Sequence, residues 1–153
     1  MLRASADTLA RVCGGTVEFG SGDVLATGAC VDSRTAQPGC VFFALPGERT
    51  DGHDHLGDAM RNGARVLVVT ADREHLAVHA GDALARGVSI VRVPDAPRAL
   101  QAVASWHRGR LLCPVVGVTG SNGKTGTKDF MRAVLSRRLT VTATAGMPSC
   151  LQR

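Results

Sequence analysis

Hydrophobic and polar positions change period along the chain, in blocks that predict strands and helices in turn. Apolar runs rich in β-branched residues predict strands at 24–32, 40–45, 65–69 and 88–93. Stretches with helical spacing, closed by capping residues or glycine, predict helices at 5–13, 55–62, 72–86 and 95–110. Such alternation favours an α/β fold whose sheet contains parallel strand pairs.

The end of the chain repeats this pattern once. The apolar run Val115–Thr119 predicts a strand, a glycine-rich loop follows, a helix is expected at 124–137, and 140–144 predicts a last strand. One strand–loop–helix unit buries too little surface to offset chain entropy. We therefore predict a small mixed α/β domain at 1–109, and at 110–153 the incomplete beginning of a second domain.

Composition narrows the classes of partner. The formal net charge is +5, but the basic residues are scattered, and the chain has one Trp and no Tyr. Few aromatic rings are available to stack on bases, so a nucleic-acid partner is not expected, whereas a small anionic substrate suits the charge. No apolar run approaches the roughly 18 residues that span a bilayer, and no signal peptide is visible. We expect a cytoplasmic, monomeric protein without membrane insertion.

Metal and thiol chemistry are not indicated. The five cysteines form no C-x-x-C pair, which favours reduced thiols, and Cys13, Cys30 and Cys40 have no evident catalytic base partner. The group 51–55 and the pair His75 and His79 each lack the further ligands of a metal centre. These polar residues are therefore interpreted as surface or turn positions.

The strongest motif is the glycine-rich loop between the predicted strand and helix. Glycines let backbone amides approach phosphate oxygens, and a helix N-terminus adds partial positive charge. Lys124 is suited to neutralise terminal phosphates, and Thr125 offers a hydroxyl to Mg²⁺. Val118 stands where the longer P-loop pattern has glycine, so the motif is the shorter Gly-x-x-Gly-Lys-Thr form. The predicted ATP-binding residues are Gly120, Ser121, Asn122, Gly123, Lys124, Thr125 and Gly126.

The short loop resembles the ATP-binding loop of the Mur ligases. Upstream segments resemble the N-terminal domain of that family in order and spacing, namely Asp32-Ser33-Arg34, 38–47, 51–54 and Asn62-Gly63-Ala64. The resemblance implies a pocket for the UDP part of a UDP-N-acetylmuramoyl-peptide at Ser33, Arg34, Asp51, Gly52 and His53. From the residues alone, Asp32 and Ser33 are more typical of a strand end and Asp51-Gly52 of a turn.

The resemblance also implies an activity. Mur ligases build the peptidoglycan precursor, and thereby serve cell-wall biogenesis, cell shape and cell division, by ATP-dependent amide-bond formation through an acyl phosphate. Lys124 and Thr125 are then the catalytic positions, with ATP and Mg²⁺ as cofactors. Ser121, Lys128 and 100–108 favour the member that adds D-alanyl-D-alanine to the tripeptide precursor. The member that adds the third residue, and a non-catalytic module that binds the UDP-muramoyl-peptide, stay open.

Two departures from the family pattern limit the expected activity. Gly126 stands where threonine or serine is usual, and 147–153 does not continue the family sequence. We therefore expect a truncated or frame-shifted ligase fragment that does not catalyse by itself. A stand-alone P-loop kinase is disfavoured because no second nucleotide motif, such as an apolar strand ending in aspartate, follows the loop.

Overall fold

The computed structural model describes residues 2–47, 50–70 and 73–144. The chain divides into two compact units, residues 1–112 and 113–153.

The first unit contains seven short strands and four helices among its described residues. In chain order they are β1 Arg3–Ser5, α1 Ala6–Cys13, β2 Thr16–Phe19, β3 Leu25–Thr27, β4 Ala29–Cys30, β5 Val41–Phe43, α2 Leu56–Arg61, β6 Val66–Val69, α3 Arg73–Ala85, β7 Ser89–Arg92 and α4 Ala96–Gly109. Single turns of 3₁₀ helix lie at Ser33–Thr35 and Gly52–His55. Strands and helices thus alternate from β5 to α4, as the hydrophobic pattern predicts.

Five strands form one sheet in the order β2-β7-β6-β5-β4. The four strands from β4 to β7 are mutually parallel, and β2 pairs antiparallel with β7 at one edge. A separate antiparallel ladder joins β1 to β3. The predicted α/β class with parallel pairing is confirmed.

The core lies on both faces of this sheet. Successive residues of a strand point to opposite faces, so Phe43 packs with α1 and α4 on one side, whereas Phe42 packs with α2 and α3 on the other. Both phenylalanines are fully buried. The near-continuous apolar composition of β5 and β6 follows from this coverage on two faces.

Local capping explains where two helices begin. The Ser5 hydroxyl accepts a hydrogen bond from the Thr8 amide at 3.2 Å, which starts α1. The Asp95 carboxylate accepts from the Arg98 amide at 2.8 Å, which starts α4. Both caps were predicted from the sequence and are confirmed.

Three predicted strands need correction. The predicted strand 24–32 is divided at Gly28, whose φ of +98° ends β3 and sends β4 into the larger sheet. The predicted strands 115–119 and 140–144 are not formed, and both segments are irregular. A strand requires a hydrogen-bonded neighbour, and the described part of the second unit supplies none to either segment.

The second unit is built around one helix, α5, Lys124–Leu135. Its apolar side chains are largely in contact with solvent, including Val115, Val116, Phe130 and Val134. No side chain of α5 is buried. Across both units, none of the described helices has the length and apolar character needed to span a bilayer.

Candidate functional site

The predicted substrate residues lie at one edge of the parallel sheet. Asp32-Ser33-Arg34 follows the end of β4, 51–53 follows β5, and Thr70 directly follows β6. Because the strands are parallel, their carboxyl ends share an edge, which is where ligands bind in open α/β sheets. The topology therefore gathers segments that are distant in the sequence.

Asp32 organises the first segment. Its carboxylate accepts the Arg34 backbone amide at 3.0 Å and so caps the 3₁₀ turn Ser33–Thr35. The same carboxylate accepts from Arg34 Nε at 3.0 Å and Nη2 at 2.7 Å. These bonds from Arg34 lower the pKa of Asp32 to about 2. Nη1 takes no part in these bonds, and the Arg34 side chain is 86% exposed, so the guanidinium is able to meet an external anion.

Asp51 repeats this arrangement with a histidine in place of the arginine. Its carboxylate accepts the His53 backbone amide at 2.9 Å and contacts His53 Nδ1 at 2.6 Å. The other ring nitrogen, Nε2, accepts the Thr70 backbone amide at 3.0 Å. Since a backbone amide only donates, Nε2 must carry a lone pair, which assigns the Nδ1–H tautomer. Both ring nitrogens of His53 are therefore engaged within the protein.

Two further contacts fix the position of these turns. The Asn62 side-chain amide donates to the Ser33 carbonyl at 2.9 Å, which attaches the end of α2 to the first turn. At Gly52 an added Cβ would lie 2.7 Å from the Leu45 backbone nitrogen, so only glycine fits there. The close approach at Gly52 is thus made by the chain's own backbone.

The predicted phosphate loop occupies residues 120–123, directly before α5. Gly120 and Gly123 have φ values of +148° and +77°, in the region that favours glycine. Lys124 Nζ folds over the loop and donates to the carbonyls of Gly120 at 2.5 Å and Ser121 at 3.2 Å. Gly123 caps α5 without a side-chain bond, which leaves the first amides of the helix for a ligand.

A pocket of about 260 Å³ adjoins this loop within the second unit. Thr125 and Lys128 line it, and Lys128 Nζ donates to the Thr144 carbonyl at 2.7 Å. Its remaining lining residues are Val116, Gly117, Val118, Lys124 and Thr144. Two ammonium groups and one hydroxyl at a helix N-terminus form a suitable setting for a polyphosphate. Gly126 lies in the first turn of α5, and nothing lies within 4 Å of an added Cβ.

Metal-binding chemistry is limited in both units. Within residues 2–47, 50–70 and 73–144, no group of three or more His, Cys, Asp or Glu side chains is placed to hold a metal ion. Thr125 supplies one hydroxyl in the pocket. Mg²⁺ commonly keeps several waters and takes the rest of its ligands from phosphates, so this donor set fits a nucleotide-bound Mg²⁺.

Sequence reasoning missed three contacts of the candidate site, although Asn62 itself lies in a segment that matches the family. Thr70 holds the His53 ring, Asn62 holds the Ser33 carbonyl, and Thr144 binds Lys128. The partners lie 16 to 29 residues apart in the sequence. No local pattern marks such pairs, because they depend on the placement of whole elements.

Comparison with known proteins identifies relatives of this arrangement. A family model described as "Mur ligase family, catalytic domain" matches residues 26–108. The UDP-N-acetylmuramoyl-tripeptide--D-alanyl-D-alanine ligase of Synechocystis is 38% identical over 117 residues, which are 76% of this chain and 24% of that protein. The UDP-N-acetylmuramoyl-L-alanyl-D-glutamate--2,6-diaminopimelate ligase of Geobacter sulfurreducens is 36% identical over 126 residues, 81% of this chain and 22% of that protein.

Solved structures give a consistent result. MurF from Acinetobacter baumannii superposes with a TM-score of 0.67 at 26% identity, over 90% of this chain and 28% of that one. MurF ligase from Thermotoga maritima in complex with ADP gives a TM-score of 0.57 at 32% identity, over 79% of this chain and 26% of that one. The chain spans about a quarter of the length of these relatives.

Proposed function

Because the chain belongs to the Mur ligase family, we propose that it supplies the substrate-binding front end and the nucleotide loop of an ATP-dependent peptidoglycan-precursor ligase. Residues 1–109 are assigned to the UDP-muramoyl-peptide and residues 110–153 to the beginning of the ATP-binding domain. The observation that carries this proposal is the pair of aspartate-capped turns, at Ser33–Thr35 and Gly52–His55, on the carboxyl edge of the sheet.

The first turn offers the anion-binding group of the proposed uridine site. Arg34 keeps Nη1 outside its contacts with Asp32, and a guanidinium binds phosphate oxygens through charge-assisted bonds. Ser33 is buried at the start of this turn. We assign Arg34 to the diphosphate and Ser33 to the uridine.

The second turn has a supporting role in the proposed site. The two ring nitrogens of His53 bind Asp51 and the Thr70 amide, so His53 orients the Asp51 carboxylate. We assign Asp51 to the uracil or ribose, as an acceptor for their donor groups. Gly52 keeps the turn against the Leu45 backbone.

The loop before α5 is assigned to the phosphates of ATP. Lys124 and the helix amides neutralise phosphate charge, and Gly120, Ser121, Asn122, Gly123 and Gly126 complete the cradle around them. Thr125 would hold Mg²⁺ together with the phosphates, and the ion supplies further charge neutralisation when bound. In the intact reaction these groups would stabilise the γ-phosphoryl group as it moves to the peptide carboxylate.

Residue identities favour D-alanyl-D-alanine as the proposed amine substrate. Ser121 and Lys128 support this assignment, as does the likeness to ligases named for that dipeptide. The likeness to diaminopimelate ligases supports the third-residue ligase as the second candidate. The two differ in the precursor that they accept, a UDP-muramoyl-tripeptide or a UDP-muramoyl-dipeptide.

Calorimetry with both precursors tests the substrate assignment. We expect the chain to bind both precursors, because they share the UDP part. A preference for the tripeptide precursor would support the D-alanyl-D-alanine ligase, and a preference for the dipeptide precursor would support the third-residue ligase. In R34Q we expect the affinity for UDP to fall by about tenfold or more, the usual loss for one charge-assisted bond. The exposed Arg61 gives the matched control, R61Q, which should bind UDP normally.

ATP binding is tested separately. K124Q should weaken ATP binding by about tenfold or more, whereas R138Q, at an exposed arginine of the same unit, should not. A chain that binds the UDP precursor but not ATP would support the non-catalytic module instead. Turnover by this chain with the tripeptide precursor, ATP and D-alanyl-D-alanine would contradict the expectation that it does not catalyse alone.

A further inference from the structure

Two cysteines in the first unit face each other at the edge of the large sheet. The sulfur atoms of Cys30 and Cys40 are 3.4 Å apart. Cys30 ends β4, and Cys40 directly precedes β5. Ten positions separate them in the sequence, so the contact is made by folding.

The sheet places these thiols where a small movement would join them. β4 pairs with β5 through Ala29 with Val41 and Cys30 with Phe42. A disulfide requires the two sulfurs at roughly 2 Å, so they must approach by little more than 1 Å. β4 has two residues and is the last strand in the sheet order. Short edge strands have few bonds to hold them, and β4 is therefore the element that is able to move.

The chemistry of the two thiols is complementary. Cys40 is buried, and its hydrogen bond with the Cys30 thiol lowers the pKa of Cys40 to about 6. The same bond, together with burial, raises the pKa of Cys30. Cys13 differs, since burial alone raises its pKa to about 11. A thiolate beside a second thiol is the arrangement from which a disulfide forms.

We propose that Cys30 and Cys40 form a reversible disulfide when the chain meets a small-molecule disulfide such as glutathione disulfide. The Cys40 thiolate takes the proton of the half-buried Cys30 as the Cys30 sulfur attacks the oxidant. This gives a mixed disulfide and one glutathione thiolate, to which Cys40 returns the proton. The Cys40 thiolate then attacks the Cys30 sulfur. The protein disulfide forms, the bond to glutathione breaks, and the second glutathione leaves as a thiolate that takes up a proton. Two protein thiols are oxidised, and one glutathione disulfide is reduced to two thiols.

The disulfide would act on the proposed uridine site. It closes a loop from residue 30 to residue 40, and that loop contains both Ser33 and Arg34. Drawing the sulfurs together shifts the end of β4, from which the turn capped by Asp32 begins. This second part rests on the proposed function. We expect oxidation to weaken UDP binding by roughly fivefold or more, the usual scale of coupling between sites.

The disulfide is tested by mass spectrometry in a C113S/C150S background, which removes an exposed thiol and one outside the described residues. After treatment with glutathione disulfide, we expect the chain to lose two hydrogens and keep no glutathione, with a cross-linked Cys30–Cys40 peptide after digestion. Dithiothreitol should reverse the change. In C40S, glutathione should remain attached to Cys30. A parent chain that keeps glutathione on Cys30 without the cross-link would overturn the proposal.

Calorimetry with UDP on the reduced and oxidised chain separates the two parts. Weaker binding after oxidation, absent in C30S, is the expected result. Equal binding in both states would overturn the effect on the site. A cross-link that forms in a chain whose reduced state does not bind UDP would establish the disulfide and contradict the proposed function.

Discussion

The two units of this chain differ in how far they bury their hydrophobic residues. In the first unit, phenylalanine, leucine and valine side chains fill both faces of a five-stranded sheet. In the second, Phe130 is 71% exposed and Val116 is 62% exposed. Nevertheless, both units present a candidate binding feature. The proposed uridine site depends on a complete sheet, whereas the phosphate loop depends on one turn and the start of one helix.

This difference separates a site formed by residues that are neighbours in the sequence, which we call local, from a site formed by the sheet. The loop 120–123 is shaped by positive φ at two glycines and by the bonds of Lys124 to nearby carbonyls. Its parts are neighbours in the sequence, so a short unit is sufficient to form them. The turns at Asp32 and Asp51 share one edge of the sheet only because β4, β5 and β6 lie side by side. A site of this second kind is lost when the hydrophobic core of the first unit unfolds.

The largest expected loss of stability comes from a substitution in the core of the first unit. Phe43 is fully buried against α1 and α4, and F43A should lower the free energy of unfolding by about 3–5 kcal/mol. The matched change F130A removes an exposed ring from α5 and should cost no more than about 0.5 kcal/mol. Urea denaturation followed by Trp106 fluorescence measures the first unit, since Trp106 packs on that core. Circular dichroism on the same samples follows the helices of both units together.

Equal destabilisation by the two changes would contradict the contrast between the units. F43A should also abolish UDP binding where the unit unfolds, while ATP binding at the loop should persist. Loss of both binding activities in F43A would mean that the phosphate loop depends on the core of the first unit.

The sequence allowed most of the first unit to be predicted. Helical spacing and the capping residues Ser5 and Asp95 located α1 and α4, and the apolar runs located β5, β6 and β7. These signals work because burial on a sheet imposes a period on the sequence. The short strands β1 and β2 were missed because they carry no such run.

The failures occurred where structure depends on a partner. Val115–Thr119 is as β-branched as β6, yet it forms no strand in the described part of the second unit, because strand formation requires a neighbour. In the candidate site, the motif residues were predicted from the sequence, but the bonds of His53 to Thr70 and of Cys30 to Cys40 were not. Those contacts follow from strand order, which a motif does not contain.

The second prediction tests the link between the second turn and the sheet. His53 is 10% exposed and holds Asp51 and Thr70, so H53A should cost about 1–2 kcal/mol of stability. His55, from the same turn, is 41% exposed, and H55A should change stability by no more than about 0.5 kcal/mol. Urea denaturation of both variants measures the difference.

Two conservative changes separate the bonds of His53. Asparagine reaches the position of Nδ1 and keeps the bond to Asp51, whereas glutamine reaches the position of Nε2 and keeps the bond to Thr70. H53N should therefore retain UDP affinity better than H53Q if orientation of Asp51 is what the site requires. The opposite order would assign the main role to the anchor at Thr70.

The third prediction concerns helix caps, in which the units also differ. The Asp95 side chain caps α4, whereas Gly123 begins α5 without any side-chain bond. D95A should cost about 1 kcal/mol in thermal or urea unfolding. D82A, which removes an exposed ion pair with Arg86, should cost at most about 0.5 kcal/mol. If D95A is as stable to unfolding as D82A, the Asp95 cap does not stabilise the first unit.

The smallest expected effect concerns the Asp32–Arg34 pair, which links the fold of the first unit to its proposed chemistry. Bonds from Arg34 hold the pKa of Asp32 at about 2, below the usual value near 4. A carboxyl with a lowered pKa stabilises the folded state above its ordinary pKa, and this contribution is lost as pH falls through about 2. Solvent screens the exposed pair, so the change in stability should be small.

NMR titration of the Asp32 carboxyl should nevertheless show the pKa rising towards 4 in R34Q, and remaining near 2 in R61Q. If R34Q leaves the pKa near 2, the backbone amide of residue 34 is sufficient to hold the charge, and the Arg34 side chain is then fully available to a ligand.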